Sequence, residues 1–299
     1  DHTAYDTWQF IKKQSISNDG KWITYALEKN SISDPLVKLS DFEGAEARSY
    51  PRGTNPKFSF DGTHLFFNLQ PAIDDVNRLK RIKTKEEDLP LDTLGIYNVN
   101  TQTLTKIPHL ISYKIPEKWS DWLVYQHKTP QDTTLKKAKK LSKKTSHELI
   151  IQNLIDTARY KYPFVKEYTL SKKGGKIAFT SSAHDGEFQS GVYVFDTQKQ
   201  SIQSIYASKG IFKSLKWDEA GQHLSFVSDL DTTQSLNRYF NLHLWSIGDD
   251  KAETILTAQD EYLEKTYLIS EHTPLAFSKN GSLLYFGKSL PILQADTSL

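Results

Sequence analysis

The chain has 299 residues, 37% hydrophobic and 12% aromatic, with 38 basic and 36 acidic side chains and a net charge of +2. That length supports a large core, the near-balanced charge gives no reason to expect nucleic acid or a membrane surface as partner, and no apolar run approaches a membrane span. There is no cysteine, hence no disulfide framework and no thiolate metal site, and methionine is also absent, as expected of a processed or cloned fragment beginning at Asp1.

Residues 1–13, with Trp8 and Phe10, precede the first hairpin signal. They read either as a strand that closes a ring of sheets or as an unstructured tail. Ser17-Asn18-Asp19-Gly20-Lys21-Trp22-Ile23-Thr24-Tyr25 then reads as a strand end, a tight turn and a second strand. Glycine takes the positive φ the turn needs, and the aspartate accepts hydrogen bonds from the turn backbone. A period of two puts Ile23 and Tyr25 on one face and Trp22 and Thr24 on the other.

The same signal returns at Ser59-Phe60-Asp61-Gly62, Ser171-Lys172-Lys173-Gly174, Trp217-Asp218-Glu219-Ala220-Gly221 and Ser278-Lys279-Asn280-Gly281. An apolar residue follows each glycine by three positions and an aromatic by five: Leu65 and Phe67, Ile177 and Phe179, Leu224 and Phe226, Leu284 and Phe286. Trp119-Ser120-Asp121-Trp122-Leu123-Val124-Tyr125 is a degenerate copy without the glycine. Each copy but the last is followed by a second hairpin, as at Leu94 to Val99 with Leu104 to Ile107, or Val192 to Asp196 with Ile202 to Ile205. The unit is therefore four short antiparallel strands, which is the signature of a β-propeller blade. A sandwich has no reason to repeat its register in this way.

The expected architecture is an all-β propeller of about five complete blades plus a partial sixth, with 1–299 forming a single propeller domain or an incomplete one. Blade 1 runs to about Pro51, and blade 2 carries an insert at about 71–90. Ile73, Val76, Leu79 and Ile82 share a helical face there, ahead of a charged loop. Blade 3 spans about Ile111 to Pro163 and contains the basic run Leu135 to Lys144, which reads as a solvated loop in preference to a polyanion patch. Blade 4 runs from about Phe164 to Tyr206 and blade 5 from about Lys213 to Thr257. Blade 6 begins near Tyr267 and lacks its second hairpin.

Catalytic motifs are missing. No Gly-x-Ser-x-Gly pentapeptide stands at a strand-to-helix turn, and Gly186-Glu187-Phe188-Gln189-Ser190-Gly191 has the wrong spacing. No His-Glu-x-x-His, phosphate loop or calcium loop is present. His64 and His184-Asp185 invite a general-base reading, but lone histidines in a repeat are expected on strand faces and loops. Asp19, Asp61 and Asn280 are expected to hold turns. Tyr25, Phe67, Tyr125, Phe179, Phe226 and Phe286 are expected as core between blades.

The turn at Ser17 to Tyr25, and Leu224 to Asp229 followed by Leu242-His243-Leu244-Trp245, resemble blades of prolyl oligopeptidase-family propellers and of the related propeller of the Tol translocation system. Three stretches are more similar to the N-terminal half of large serine peptidases of that family, of the kind found in Bacteroidetes. They are Leu94-Gly95-Ile96-Tyr97-Asn98 after a charged insert, Phe226 to Asp231, and Phe277 to Gly287 with the Asp296-Thr297 ending. The resemblance implies a propeller that gates access of peptide substrates to a C-terminal α/β-hydrolase domain of the same polypeptide. The triad would belong to that domain, which this chain does not contain, so no catalytic residue, metal or cofactor site carries over. Dipeptidyl members hold the substrate's amine with paired propeller glutamates; Glu86-Glu87 is the superficial match here and lacks the aromatic setting.

The expectation is thus a substrate-gating propeller region of an exported, periplasmic serine peptidase, with no hydrolysis by this chain alone. The rival is a stand-alone protein-binding scaffold like the Tol-system propeller, against which the unfinished blade 6 argues. A third class, an enzyme with its site in the propeller's own channel, would need carboxylates or metal-ligating histidines clustered on the innermost strands.

Overall fold

The computed structural model describes residues 8–29, 33–43, 48–128, 147–182, 188–231, 233, 237–263 and 267–292. The chain divides into two compact units, Asp1–Thr134 with Ile150–Arg159, and Leu135–Leu149 with Tyr160–Leu299.

In the first unit, β1 (Gln9–Ile16), β2 (Trp22–Lys29), β3 (Leu36–Asp41) and β4 (Arg48–Pro51) form one sheet in sequence order. A second sheet repeats the arrangement with β5 (Gly53–Phe58), β6 (His64–Leu69), β7 (Thr93–Asn98) and β8 (Thr103–Ile107). Every neighbouring pair is antiparallel. The expected insert is α1 (Ile73–Arg81) and a 3-10 turn at Glu86–Asp88, neither with a buried residue. β9 (Leu110–Lys114) and β10 (Trp122–His127) pair next, followed by β11 (His147–Asn153).

In the second unit, β12 (Arg159–Leu170), β13 (Lys176–Ser181), β14 (Gly191–Asp196) and β15 (Ser201–Ala207) run in order, as do β16 (Ile211–Trp217), β17 (His223–Asp229), β18 (Asn241–Ser246) and β19 (Glu253–Leu256). The last described segment holds only two short pairs. β20 (Leu268–Ile269) pairs with β23 (Lys288–Ser289), and β21 (Ala276–Phe277) with β22 (Leu284–Tyr285). These sequence-ordered four-stranded meanders are β-propeller blades.

Two expectations need correction. Residues 9–16 form β1, which pairs with β2 from Gln9↔Lys29 onward, so this stretch is the first strand of the first sheet and neither a tail nor a closing strand from another. The expected boundary at Pro163 falls inside β12, a continuous 12-residue strand, so no loop divides blades 3 and 4 there.

The repeated turn has one construction. Ser17 Oγ donates to Asp19 Oδ1 (2.5 Å) and accepts from Trp22 N (3.0 Å). Ser59 does the same with Asp61 (2.6 Å) and His64 N (2.9 Å), and Ser278 with Asn280 (2.7 Å) and Leu283 N (3.0 Å). At the fourth turn Asp218 replaces the serine and accepts from Gln222 N (2.7 Å) and His223 N (3.1 Å). Gly20, Gly62, Gly174, Gly221 and Gly281 all have φ between +71° and +82°. In the copy that lost its glycine, Asp121 takes φ +73°.

Alternation along each second strand packs both faces of a sheet. Leu65 and Phe67 join Ala26, Val37 and Leu39 in one cluster, while Phe66 joins Leu123 and Tyr125 in another. In the second unit Leu224 and Phe226 meet Ala178, Val192 and Val194, and Val227 meets Ile269 and Leu275. Phe67, Tyr125, Phe179 and Phe226 are buried as expected. Tyr25, on the first sheet, and Phe286, just after β22, are half-buried.

Candidate functional site

Four first strands carry a β-bulge at the same place. Two residues, Lys13-Gln14, Asn55-Pro56, Lys166-Glu167 and Ser214-Leu215, face one partner residue, respectively Tyr25, Phe67, Thr180 and Phe226. Lys13, Asn55 and Ser214 have φ of +53°, +51° and +59°, in the left-handed region, whereas neither residue of the β12 bulge does. A bulge also changes which side chains share a face.

This matters most at β16. Glu167, on the bulge of β12, accepts hydrogen bonds from Ser214 N and Leu215 N, both at 2.9 Å. Its carboxylate thereby satisfies two donors that the bulge removes from the sheet ladder. Beside it opens a cleft of about 760 Å³ between β12, β16 and the segment at Glu271 to Leu275. Lys166, Lys213, Lys216 and His272 line it with Glu167 and Glu271, over an apolar wall that includes Ile211 and Leu275. Lys213 Nζ pairs with Glu271 Oε2. A volume of this size suits a small ligand or a few residues of a peptide.

The candidates expected from sequence do not gather here. His64 lies between Thr63 Oγ1 (2.8 Å to Nδ1) and Asn98 Nδ2 (3.2 Å to Nε2). Because the Thr63 hydroxyl donates to Asp61 Oδ2 (2.7 Å), His64 Nδ1 carries the proton and Nε2 accepts. Burial lowers its pKa, against the pull of Asp61 and Asp121. Burial also raises the pKa of Asp121, with Asp61 adding to it. For Asp61 burial acts upward, but hydrogen bonds from Ser59 and Thr63 outweigh it and hold the carboxyl below its usual range. One nitrogen of His64 is therefore engaged by the turn and the other by Asn98 of β7. Asp19, Asp61 and Asn280 hold turns as expected. Glu86 and Glu87 are exposed on the 3-10 turn. His184-Asp185, Gly186-Glu187 and the basic run at 135–144 lie outside the described residues.

One pair escaped the sequence reading. Ser228 Oγ lies 2.7 Å from His243 Nε2, the spacing of a nucleophile and its base. Thr254 Oγ1 stands 3.1 Å from Nδ1. Both Ser228 and His243 are 0% exposed, and the imidazole stacks on Phe226 at 4.7 Å between ring centroids. Burial drives the histidine's pKa down to about 4. A pair sealed in this way holds β17, β18 and β19 together and meets no substrate. Nothing in the sequence marks it, since the two residues are simply diagonal cross-strand neighbours, two positions apart in the β17–β18 register.

Among the described residues no helix is long and apolar enough to cross a membrane. No protein-family model and no curated protein matches the chain. Solved structures do. The chain is similar to the β-propeller domain of the Trilobed protease from Pyrococcus furiosus, at 11% identity over 88% of this chain and 75% of that one, with a TM-score of 0.43. It is similar to the acylaminoacyl peptidase of Pyrococcus horikoshii at 12% identity over 96% of this chain, with a TM-score of 0.47, and spans 44% of that protein's length. An oligogalacturonate lyase in complex with manganese is matched at 14% identity over 93% of this chain and 73% of that one, with a TM-score of 0.46. These likenesses concern fold alone, and the blade architecture rests on the sheets themselves.

Proposed function

We propose that this chain is the non-catalytic, substrate-gating propeller region of a serine peptidase of the prolyl oligopeptidase family. In this reading the hydrolytic serine belongs to an α/β-hydrolase domain of the same polypeptide, which is the propeller's partner, and the protein is exported to the periplasm. The observation that carries the reading is where the polar chemistry lies. The serine–histidine pair at Ser228 and His243 is sealed inside a blade, while the open cleft lies on the bulged first strands β12 and β16. Such a chain admits and selects a peptide and does not cut it. The residues quoted above for the family resemblance support the same reading.

The test is labelling of the native gene product in lysate of its source cells with a fluorophosphonate probe for activated serines. An antibody to this chain captures the product, which is sized on a denaturing gel. A labelled band well above 34.3 kDa is expected. An unlabelled band near that mass would replace the proposal with a stand-alone binding propeller.

A further inference from the structure

We propose that the cleft between β12 and β16 binds a peptide through a carboxylate set beside an apolar residue; as a statement about substrate class, this rests on the peptidase reading above. The bulge creates the site. Lys213 pairs with Val227 and Lys216 with Ser225, two residues apart on β17, so the two lysines share one face of β16. In an unbulged strand residues three apart point to opposite faces.

The charges in the cleft do not cancel. Glu167 is engaged by Ser214 N and Leu215 N, and Glu271 by Lys213. Lys166 and Lys216 have no ion-pair partner among the described residues, and both are exposed at the cleft. Three lysines against the two carboxylates of Glu167 and Glu271 leave one positive charge in excess at the exposed Lys166 and Lys216, and over a wall that includes Ile211 and the buried Leu275 this suits a ligand that is anionic at one point and apolar next to it. Lysine is a point charge that tolerates many approach angles, which fits a single carboxylate on a flexible chain. Two sources present that chemistry in a peptide: the free C-terminus, and an aspartate or glutamate side chain.

The test is calorimetric binding to the full-length protein, treated first with fluorophosphonate to stop turnover. Four probes separate the sources: acetyl-Gly-Gly-Leu-Phe as free acid and as C-terminal amide, then acetyl-Gly-Gly-Glu-Phe amide and acetyl-Gly-Gly-Gln-Phe amide. The expected result is that at least one carboxylate probe binds roughly tenfold more tightly than its neutral partner. The preference should vanish in the Lys166→Gln/Lys216→Gln variant and persist in Lys106→Gln, an exposed lysine on β8. It should also shrink as salt rises, which tests the unsubstituted protein without relying on any variant. Equal binding of acid and neutral probes, no binding at all, or a preference that survives the double substitution would each overturn the proposal. Failure of the protein to take the fluorophosphonate would instead overturn the peptidase reading, because binding is measured without turnover.

Discussion

Glu167 and Ser214 stand 47 positions apart, yet the carboxylate of one holds the backbone of the other at 2.9 Å. Leu215 N shares the same carboxylate, also at 2.9 Å. The bulge at β16 frees these donors, and the glutamate on β12 takes them up, so an inner strand of one sheet and the first strand of the next are tied at the wall of the cleft.

Removing that carboxylate should loosen the wall. Glu167→Ala leaves two half-buried N–H groups without their acceptor and should cost about 1–3 kcal/mol of stability. Glu167→Gln keeps one acceptor oxygen and should cost less. Urea denaturation of the two variants against the parent checks both the size and the order. Equal effects would mean that the single oxygen kept in glutamine does nothing for the bulge and that the whole carboxylate is required.

A second relationship is the ring of Phe67 over Gly95, its cross-strand partner on β7. A Cβ at Gly95 would sit 2.6 Å from the ring's Cε2. Gly95→Ala should therefore destabilise by about 1–3 kcal/mol through overpacking. Phe67→Ala should cost about 3–5 kcal/mol through the cavity it leaves. The double variant should recover part of the sum, because the alanine methyl then has room; strict additivity in thermal or urea melts would show that the two do not touch.

These two residues also show how far the sequence was legible. Phe67 lies five positions after Gly62, and that spacing predicted both its strand and its burial, because a turn that needs positive φ and a strand of period two leave a readable pattern. The turn aspartates were legible for the same reason, whereas the serine that closes the turn recurred in the pattern without its role being read, as did Asp218 in its place. The bulges were not. Lys13, Asn55 and Ser214 adopt positive φ without being glycine, and nothing in a lysine or a serine announces that. The cleft depends on those bulges and on a contact 47 residues long, so no local pattern could point to Lys166, Lys213 and Lys216 as neighbours. β1 was misread because its residues are mostly exposed, which hides strand alternation in a first sheet with one open face.

The sealed pair at Ser228 makes a further prediction. Its 2.7 Å spacing to His243 imitates a nucleophile and base, but a fluorophosphonate cannot reach a side chain that is 0% exposed. On the peptidase reading proposed above, Ser228→Ala in the whole polypeptide should leave the rate of probe labelling unchanged while lowering stability by about 1–3 kcal/mol, since His243 loses a buried partner. Loss of labelling in a folded variant would make this serine reactive and place the chemistry inside the propeller.

His243 itself should make stability depend on pH. Its folded pKa is pushed to about 4 by burial, against an ordinary value of 6.5 in the unfolded chain. The unfolded state therefore takes up a proton that the folded state refuses. The stabilisation is complete above 6.5, is lost as pH falls from 6.5 towards 4, and changes no further below that. At about 1.4 kcal/mol per unit, the window amounts to about 3 kcal/mol. His64, also lowered by burial, acts in the same direction, so the parent's slope alone does not isolate one residue. His243→Gln keeps hydrogen-bonding capacity without titrating. The difference in unfolding free energy between parent and variant should shrink steadily from pH 7 to pH 4. A difference that stays constant with pH would show that the imidazole titrates in the fold as it does in the unfolded chain and that the stacking on Phe226 does not exclude water from it.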